Sequence, residues 1–167
     1  MPIEHLRAMD QAGTAFDLQL LLMGYCRVTG FEWRFEKVSA PYHRLYLVSG
    51  GRGFLSDAKE RIPLVKGRAY FIPAGAVYSY GCAPFLEKCY LNFRLEYFPG
   101  SDVFSAVRRC RSTPFDSGVV VPRLVEAARR GHLVDQLRLR SEVLGLLAVM
   151  AGDLGGPGGK ERVNALK

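Results

Sequence analysis

The run Tyr42-His43-Arg44-Leu45-Tyr46-Leu47-Val48-Ser49-Gly50-Gly51-Arg52-Gly53, taken with Gly67-Arg68-Ala69-Tyr70-Phe71-Ile72-Pro73-Ala74-Gly75-Ala76-Val77-Tyr78, decides the fold class of this chain. Each half is a short apolar segment rich in aromatic and β-branched residues, and glycine or proline closes it, which is the punctuation of strands and turns. The glycines supply turn positions that need unusual φ, and Pro73 suits the edge of a strand. Residues 43–49 therefore read as one strand, and Gly50-Gly51-Arg52-Gly53 as a turn into the next, Phe54-Leu55. Outward from this centre, residues 61–64, 69–72, 77–80 and 87–97 continue the series. Upstream, residues 31–36 alternate aromatic and charged side chains, which predicts a further strand, and Lys37 extends its odd phase with a charge. In the last segment Cys89, Leu91, Phe93, Leu95 and Tyr97 share one face, and Lys88, Tyr90, Asn92, Arg94 and Glu96 share the other. Many short strands at turn-punctuated intervals predict a β-sandwich or barrel.

After Pro99-Gly100 the texture becomes helical. Asp102 is placed to cap a short helix reaching about Arg111. A second helix is expected with Pro122 in its first turn and Gly131 just past its end, and a third from about His132 to Asp153. On the third, Leu133, Leu137, Leu144 and Leu147 form one stripe, while Leu139, Val143, Leu146 and Met150 form another. One stripe seats a helix on its own domain, and a second implies another surface to cover. A homodimer contact through Leu137, Leu144, Leu147 and Met150 is the expectation, against a helix covered wholly by its own domain. Residues 1–14 lack periodicity and read as an arm. Gly155-Gly156-Pro157-Gly158-Gly159 has the composition of a flexible linker, and residues 161–167 look like the opening turn of another helix, so a further domain is expected there.

The 167 residues are 49% hydrophobic and 23% charged, with a mean hydropathy of +0.02. That composition excludes a mainly disordered or collagen-like chain. No apolar run approaches the roughly 18 residues needed to cross a bilayer, and the start carries no secretory pattern, so a cytoplasmic protein is expected. Cys26, Cys82, Cys89 and Cys110 form no CxxC pair and read as reduced filler. His5, His43 and His132 are too scattered for a local metal motif. The net charge of +7 draws on Arg108, Arg109, Arg111, Arg129, Arg130, Arg138 and Arg140. These read as solvated helix faces rather than a nucleic-acid surface, since no segment looks like a groove-reading helix.

The spacing Gly67, Pro73, Gly75, Tyr78 resembles the second motif of the cupin barrels, with Tyr78 at the position of a His ligand. Together with Trp33, Lys37, the run 42–53, Pro63-Leu64-Val65-Lys66-Gly67, Tyr80 and Asn92-Phe93, the pattern resembles the effector-binding domain of AraC-family transcription regulators. The resemblance covers roughly residues 26–97. It implies an arm over 1–14, a cupin-like (double-stranded β-helix, jelly-roll) effector barrel over 15–100, a helical dimerisation region over 101–153, and a linker with the start of a DNA-binding domain over 154–167. The remaining metal positions of the cupin pattern fall on Arg44 and near Lys37 and Ser39. Lys37 and Arg44 add positive charge where a cation would sit, which opposes metal binding, and no cofactor is expected.

What the resemblance implies instead is a pocket for a small polar effector, such as a sugar or sugar acid. Lys37 falls on an effector-binding Arg of the family's founding arabinose-responsive member, Tyr80 on a contacting Tyr, and Tyr90 on a stacking Trp. Lys88 and Asn92 share the inward phase that these assignments need, and Trp33, Tyr78 and Arg44 join them as candidate lining residues. Blander roles stay open: the tyrosines and Trp33 can fill the barrel, Lys37 can snorkel from a strand end, and Arg44 and Asn92 can satisfy strand neighbours. The implied function is a ligand-sensing, dimerising domain that reaches DNA only through a domain beyond this chain. It is not expected to catalyse a reaction, and the alternative is a cupin-fold enzyme, an isomerase or dioxygenase with unusual site residues.

Overall fold

A computed structural model describes residues 16–152. The arm at 1–14 and the linker at 154–167 lie outside the described residues. The described chain forms seven strands, β1 (Asp17–Thr29), β2 (Phe35–Val38), β3 (His43–Ser56), β4 (Arg61–Val65), β5 (Arg68–Ile72), β6 (Tyr78–Glu96) and β7 (Arg111–Pro114). Two helices follow, α1 (Ser117–Arg130) and α2 (Leu133–Ala151). The architecture is mainly antiparallel β with two C-terminal helices, as the strand and helix patterns predict. The sheet order is β1-β6-β3-β5-β7, with β2 paired to β6 and β4 to β3.

Two strands are far longer than the punctuation predicts. Gly50-Gly51-Arg52-Gly53 does not turn the chain. It absorbs two register shifts against β6, between Val48 and Gly50 and between Gly51 and Gly53, so β3 bends and continues. Gly51 has φ 68°, and a Cβ there would lie 2.1 Å from the Phe85 carbonyl oxygen, so only glycine fits the bend. Likewise residues 77–80 and 87–97 belong to one strand, β6. The first part of β3 pairs with β5 and the last part with β4, while β6 runs alongside both, so the two long strands carry the sheet round into a jelly-roll-like form.

The roll separates two apolar clusters, and strand alternation sorts the side chains between them. Leu45, Leu47, Phe71, Cys89, Leu91 and Phe93 face the helices, meeting Leu124, Leu139, Val143 and Leu147. Tyr46, Val48, Tyr70, Ile72, Tyr78, Tyr80 and Leu86 face the interior of the roll around Trp33. His43 belongs to the helix side. Its Nδ1 accepts from the Ala74 N–H at 3.0 Å, which leaves Nε2 as the donor to Asp102 at 2.9 Å.

Three local expectations are corrected. Residues 31–34 form a turn, because the Thr29 carbonyl accepts from both Glu32 and Trp33 N–H while the Glu32 carboxylate holds the Thr29 N–H and hydroxyl. Phe31 is consequently 98% exposed, and the strand begins only at Phe35. No helix spans 102–111. The Asp102 carboxylate binds the Phe104 N–H and His43, Phe104 and Val107 drop into the helix-side cluster, and the chain then adds β7 to β5. In α1 the Asp116 carboxylate caps the Gly118 and Val119 N–H groups, so the helix starts well before Pro122, which sits in its interior. Gly131 in the left-handed region ends α1, as the sequence predicts.

On α2 the two leucine stripes are real, but their membership differs from the reading for an interface. Leu139, Val143, Leu147 and Met150 are buried on the protein's own core. Leu147 and Met150 are therefore removed from the candidate dimer contact. Leu133, Leu137 and Leu144 remain outside, with Leu137 58% and Leu144 38% exposed. The reason is helical phase: Leu147 is four residues on from Val143 and three before Met150, on the stripe that meets the sheet.

Candidate functional site

Register builds the site. On β3 the interior phase is Arg44, Tyr46 and Val48, and on β6 it is Asn92, Tyr90 and Lys88, facing them as direct cross-strand partners. Tyr80 comes from the earlier part of β6, and Trp33 is delivered by the turn after β1. Leu91 and Phe93 occupy the opposite phase under the helices, which leaves Lys88, Tyr90 and Asn92 on the interior phase.

Two cations occupy this aromatic interior, and among the described residues no carboxylate is bonded to either. Lys88 is 3% exposed, and its Nζ lies 3.8 Å from the Trp33 ring centroid and 3.7 Å from that of Tyr46. Burial lowers its pKa from 10.5 to about 7; the nearby Arg44 charge pushes the same way and the thiols of Cys26 and Cys82 oppose. Arg44 is 5% exposed and donates from Nη1 to the Tyr80 hydroxyl at 2.5 Å, while its buried Nε and Nη2 have no partner among the described residues. Tyr80 in turn stacks on Trp33, with ring centroids 5.4 Å apart and planes 16° apart. The phenols cannot supply the missing negative charge, since burial pushes Tyr46 up to about 12 and raises Tyr80 as well. A buried cation without a counter-charge costs several kcal/mol, roughly, and unpaired guanidinium donors add to that. The arrangement is suited to an anion with an apolar body.

Six of the eight candidate residues come together here: Trp33, Arg44, Tyr80, Lys88, Tyr90 and Asn92. Tyr78 lines the same interior but is otherwise engaged, its hydroxyl accepting from the Cys110 N–H at 3.0 Å. Lys37 does not join them. It has φ 50°, which breaks the alternation that would carry it inward after Trp33, and its N–H donates to Ser79 Oγ. Its exposed side chain lines a separate surface cleft of about 660 Å³ with Asp57, Ser79, Arg108 and Arg109. Tyr46 was missed, although its place two residues after Arg44 on one strand is a signal for it.

Of five surface clefts among the described residues, of about 300 to 710 Å³, none is lined by Arg44, Tyr46 or Lys88. Arg44 lies against the Tyr80 ring, which stacks in turn on Trp33, so a guest approaching Arg44 from that side displaces an aromatic ring. Among the described residues no three His, Cys, Asp or Glu side chains converge as a metal site.

No family model matches the sequence, and no curated protein matches it. Solved structures with similar shape include ethanolamine utilization protein Q of Salmonella typhimurium, at 17% identity over 48% of this chain and 73% of that one, TM-score 0.38. ToxT of Vibrio cholerae with an unsaturated fatty acid bound is similar at 11% identity over 87% of this chain, TM-score 0.46. An apo variant of ToxT is similar at 8% identity over 85%, TM-score 0.47. The chain spans 57% of the length of these two ToxT chains. Similarities this loose do not assign the chain to a family.

Proposed function

We propose that this chain is the ligand-sensing and dimerisation domain of an AraC-type transcription regulator, and that its effector is a small organic acid, sugar acids included. The observation that carries the reading is the pair Arg44 and Lys88: two buried cations, one with two donors unpartnered among the described residues, set among Trp33, Tyr46 and Tyr80. A carboxylate supplies the missing charge and accepts from Arg44 Nε and Nη2, and an apolar or ring-shaped body replaces Trp33 or Tyr80 against the remaining aromatic faces. Binding then moves aromatic side chains that brace both halves of β6, which couples ligand to shape. A neutral sugar uses the tyrosine hydroxyls but leaves the charge unmet, so the acid is preferred. The domain is a sensor without catalytic activity, working in the cytoplasm. It pairs through the outer stripe of α2 and reaches DNA through a further domain.

Trp33 is the single tryptophan of the chain and reports on the site directly. Thermal shift and tryptophan emission are to be measured with short carboxylic acids, sugar acids and neutral sugars, on wild type, Arg44→Met, Tyr80→Phe and Lys37→Ala. Acids are expected to raise Tm by a few degrees, roughly, at saturating concentration and to shift the emission. Arg44→Met loses the response, Tyr80→Phe weakens it, and Lys37→Ala keeps it. Acids that leave both readouts unchanged, or an undiminished response in Arg44→Met, overturn the proposal.

A further inference from the structure

We propose that the cleft beside Lys37 is a second ligand site, outside the roll, which takes a phosphorylated sugar or polyol. It does not depend on the Arg44–Lys88 interior. A bulge sets it up. Phe35 pairs with Tyr80 and Val38 with Tyr78, so β2 takes three residue steps against two on β6. Bulges re-aim side chains at sheet edges, and this one holds Lys37 at φ 50° with its N–H on Ser79 Oγ at 3.1 Å. A residue other than glycine in the left-handed region is unfavourable and persists only where its surroundings fix it, commonly at ligand sites. The Ser79 oxygen accepts that bond and keeps its own proton to donate. Ser56 is its direct cross-strand partner on β3, so two hydroxyls stand side by side at the cleft.

Charge then selects the guest. Lys37, Lys59, Arg108 and Arg109 line this cleft of about 660 Å³, a volume within the roughly 300–1,000 Å³ of small-molecule sites. Arg109 is matched by Glu60 at 3.5 Å, whereas among the described residues Lys37, Lys59 and Arg108 pair with no carboxylate. The acid that lines the cleft, Asp57, is turned onto the backbone: its Oδ1 accepts from the Lys59 and Glu60 N–H groups, each at 2.8 Å. Three uncommitted cations and two hydroxyls offer more donors than the two oxygens of a carboxylate use. They match the three terminal oxygens and the double charge of a phosphate monoester. Asp57 Oδ2 accepts no hydrogen bond among the described residues and is available to a ligand hydroxyl. A hydroxylated body carrying a phosphate therefore meets all of these groups. The site draws on β2, the β3–β4 turn, β6 and the segment before β7, so a bound phosphate ties residues 108–109 to the turn at 57–60.

Glucose 6-phosphate and glycerol 3-phosphate are titrated into the full chain by isothermal calorimetry at fixed ionic strength, with glucose, inorganic phosphate and sulfate as comparisons. The variants are Lys37→Gly, which suits the left-handed backbone and so removes the charge without harm to the fold, and Arg108→Gln, on an exposed side chain. At least one of the two phosphate esters is expected to bind, and its Kd to rise at least about tenfold in each variant. Glucose gives no heat. Sulfate or inorganic phosphate binding as tightly as the esters means an adventitious ion only and overturns the site. Undiminished ester binding in either variant, or no binding of either ester, overturns it as well. Lactate, followed by thermal shift, separates this site from the interior: its response is kept in Lys37→Gly and lost in Arg44→Met, while Arg44→Met keeps the ester. An ester that binds while lactate does not leaves this site standing without the interior reading, and the converse overturns this site alone.

Discussion

Lys88 shows how much a single side chain can ask of a fold. Its ammonium is removed from water and set against two rings, and cation–π contacts of about 1–2 kcal/mol each only partly offset that desolvation. The consequence for stability has a definite sign. Below pH 7 the amine is protonated in both folded and unfolded chains, and the folded state bears the full cost. Between about pH 7 and 10.5 the unfolded chain holds a proton that the folded chain has released, so stability rises with pH. The groups facing Lys88 are Arg44, which lowers its pKa, and Cys26 and Cys82, which raise it. Buried acids pull the other way in alkali, since Tyr46, Cys89 and Cys110 are each pushed up to about 12, so the clean window is pH 7 to about 8.5. Lys88→Met is expected to stabilise the protein by roughly 2–3 kcal/mol at pH 6 and to flatten the rise above pH 7. Urea unfolding at pH 6, 7 and 8.5 checks both parts, and an equal slope in the two proteins contradicts the assignment.

At the scale of elements, α2 carries two apolar stripes that do different things. Leu139, Val143, Leu147 and Met150 complete the helix-side cluster, whereas Leu133, Leu137 and Leu144 lie outside it. Leu147→Glu therefore places a charge in the core and is expected to cost about 3–5 kcal/mol, read as loss of the folded state on denaturant titration. Leu137→Glu with Leu144→Glu leaves the fold intact and turns a concentration-dependent dimer into a monomer, as measured by light scattering. A wild type that stays monomeric at high concentration removes the proposed pairing. Two stripes were visible in the spacing, with Leu147 set on the outer one, but which residues face inward depends on how the sheet approaches, and spacing alone does not carry that. The glycine run 50–53 is a parallel case. Its composition signals a break in regular structure, and whether the break becomes a turn or a bulge depends on β6 lying alongside to accept two register shifts.

Across the whole molecule the positive charge is dispersed rather than gathered. Arg109 pairs with Glu60, Arg123 with Glu142, Arg130 with Glu126 and Arg138 with Asp135, and Arg140 donates to the Leu18 carbonyl across the β1–α2 junction. Paired, scattered guanidinium groups neutralise few phosphates together. This chain by itself is expected to bind duplex DNA weakly and without sequence preference, with affinity falling at least about tenfold between 50 and 200 mM salt. Fluorescence anisotropy with random and sequence-varied duplexes checks this, and tight, salt-resistant, sequence-selective binding contradicts it.

The amino-acid order alone determined the class of the fold, the two faces of residues 87–97 and the apolar stripes of α2. Each is a local periodicity, and a period of two or of 3.6 survives whatever the chain packs against. Arg44, Lys88, Tyr80 and Trp33 were singled out by the resemblance of the pattern to an effector-binding barrel, and periodicity contributed only the strand phase they share. Tertiary structure decided the rest. A left-handed backbone at Lys37 turned that side chain away from the interior, and the Glu32 turn, rather than a strand, delivered Trp33 to Lys88. These outcomes are set by hydrogen bonds and contacts between segments distant in sequence, whose energies no local pattern contains.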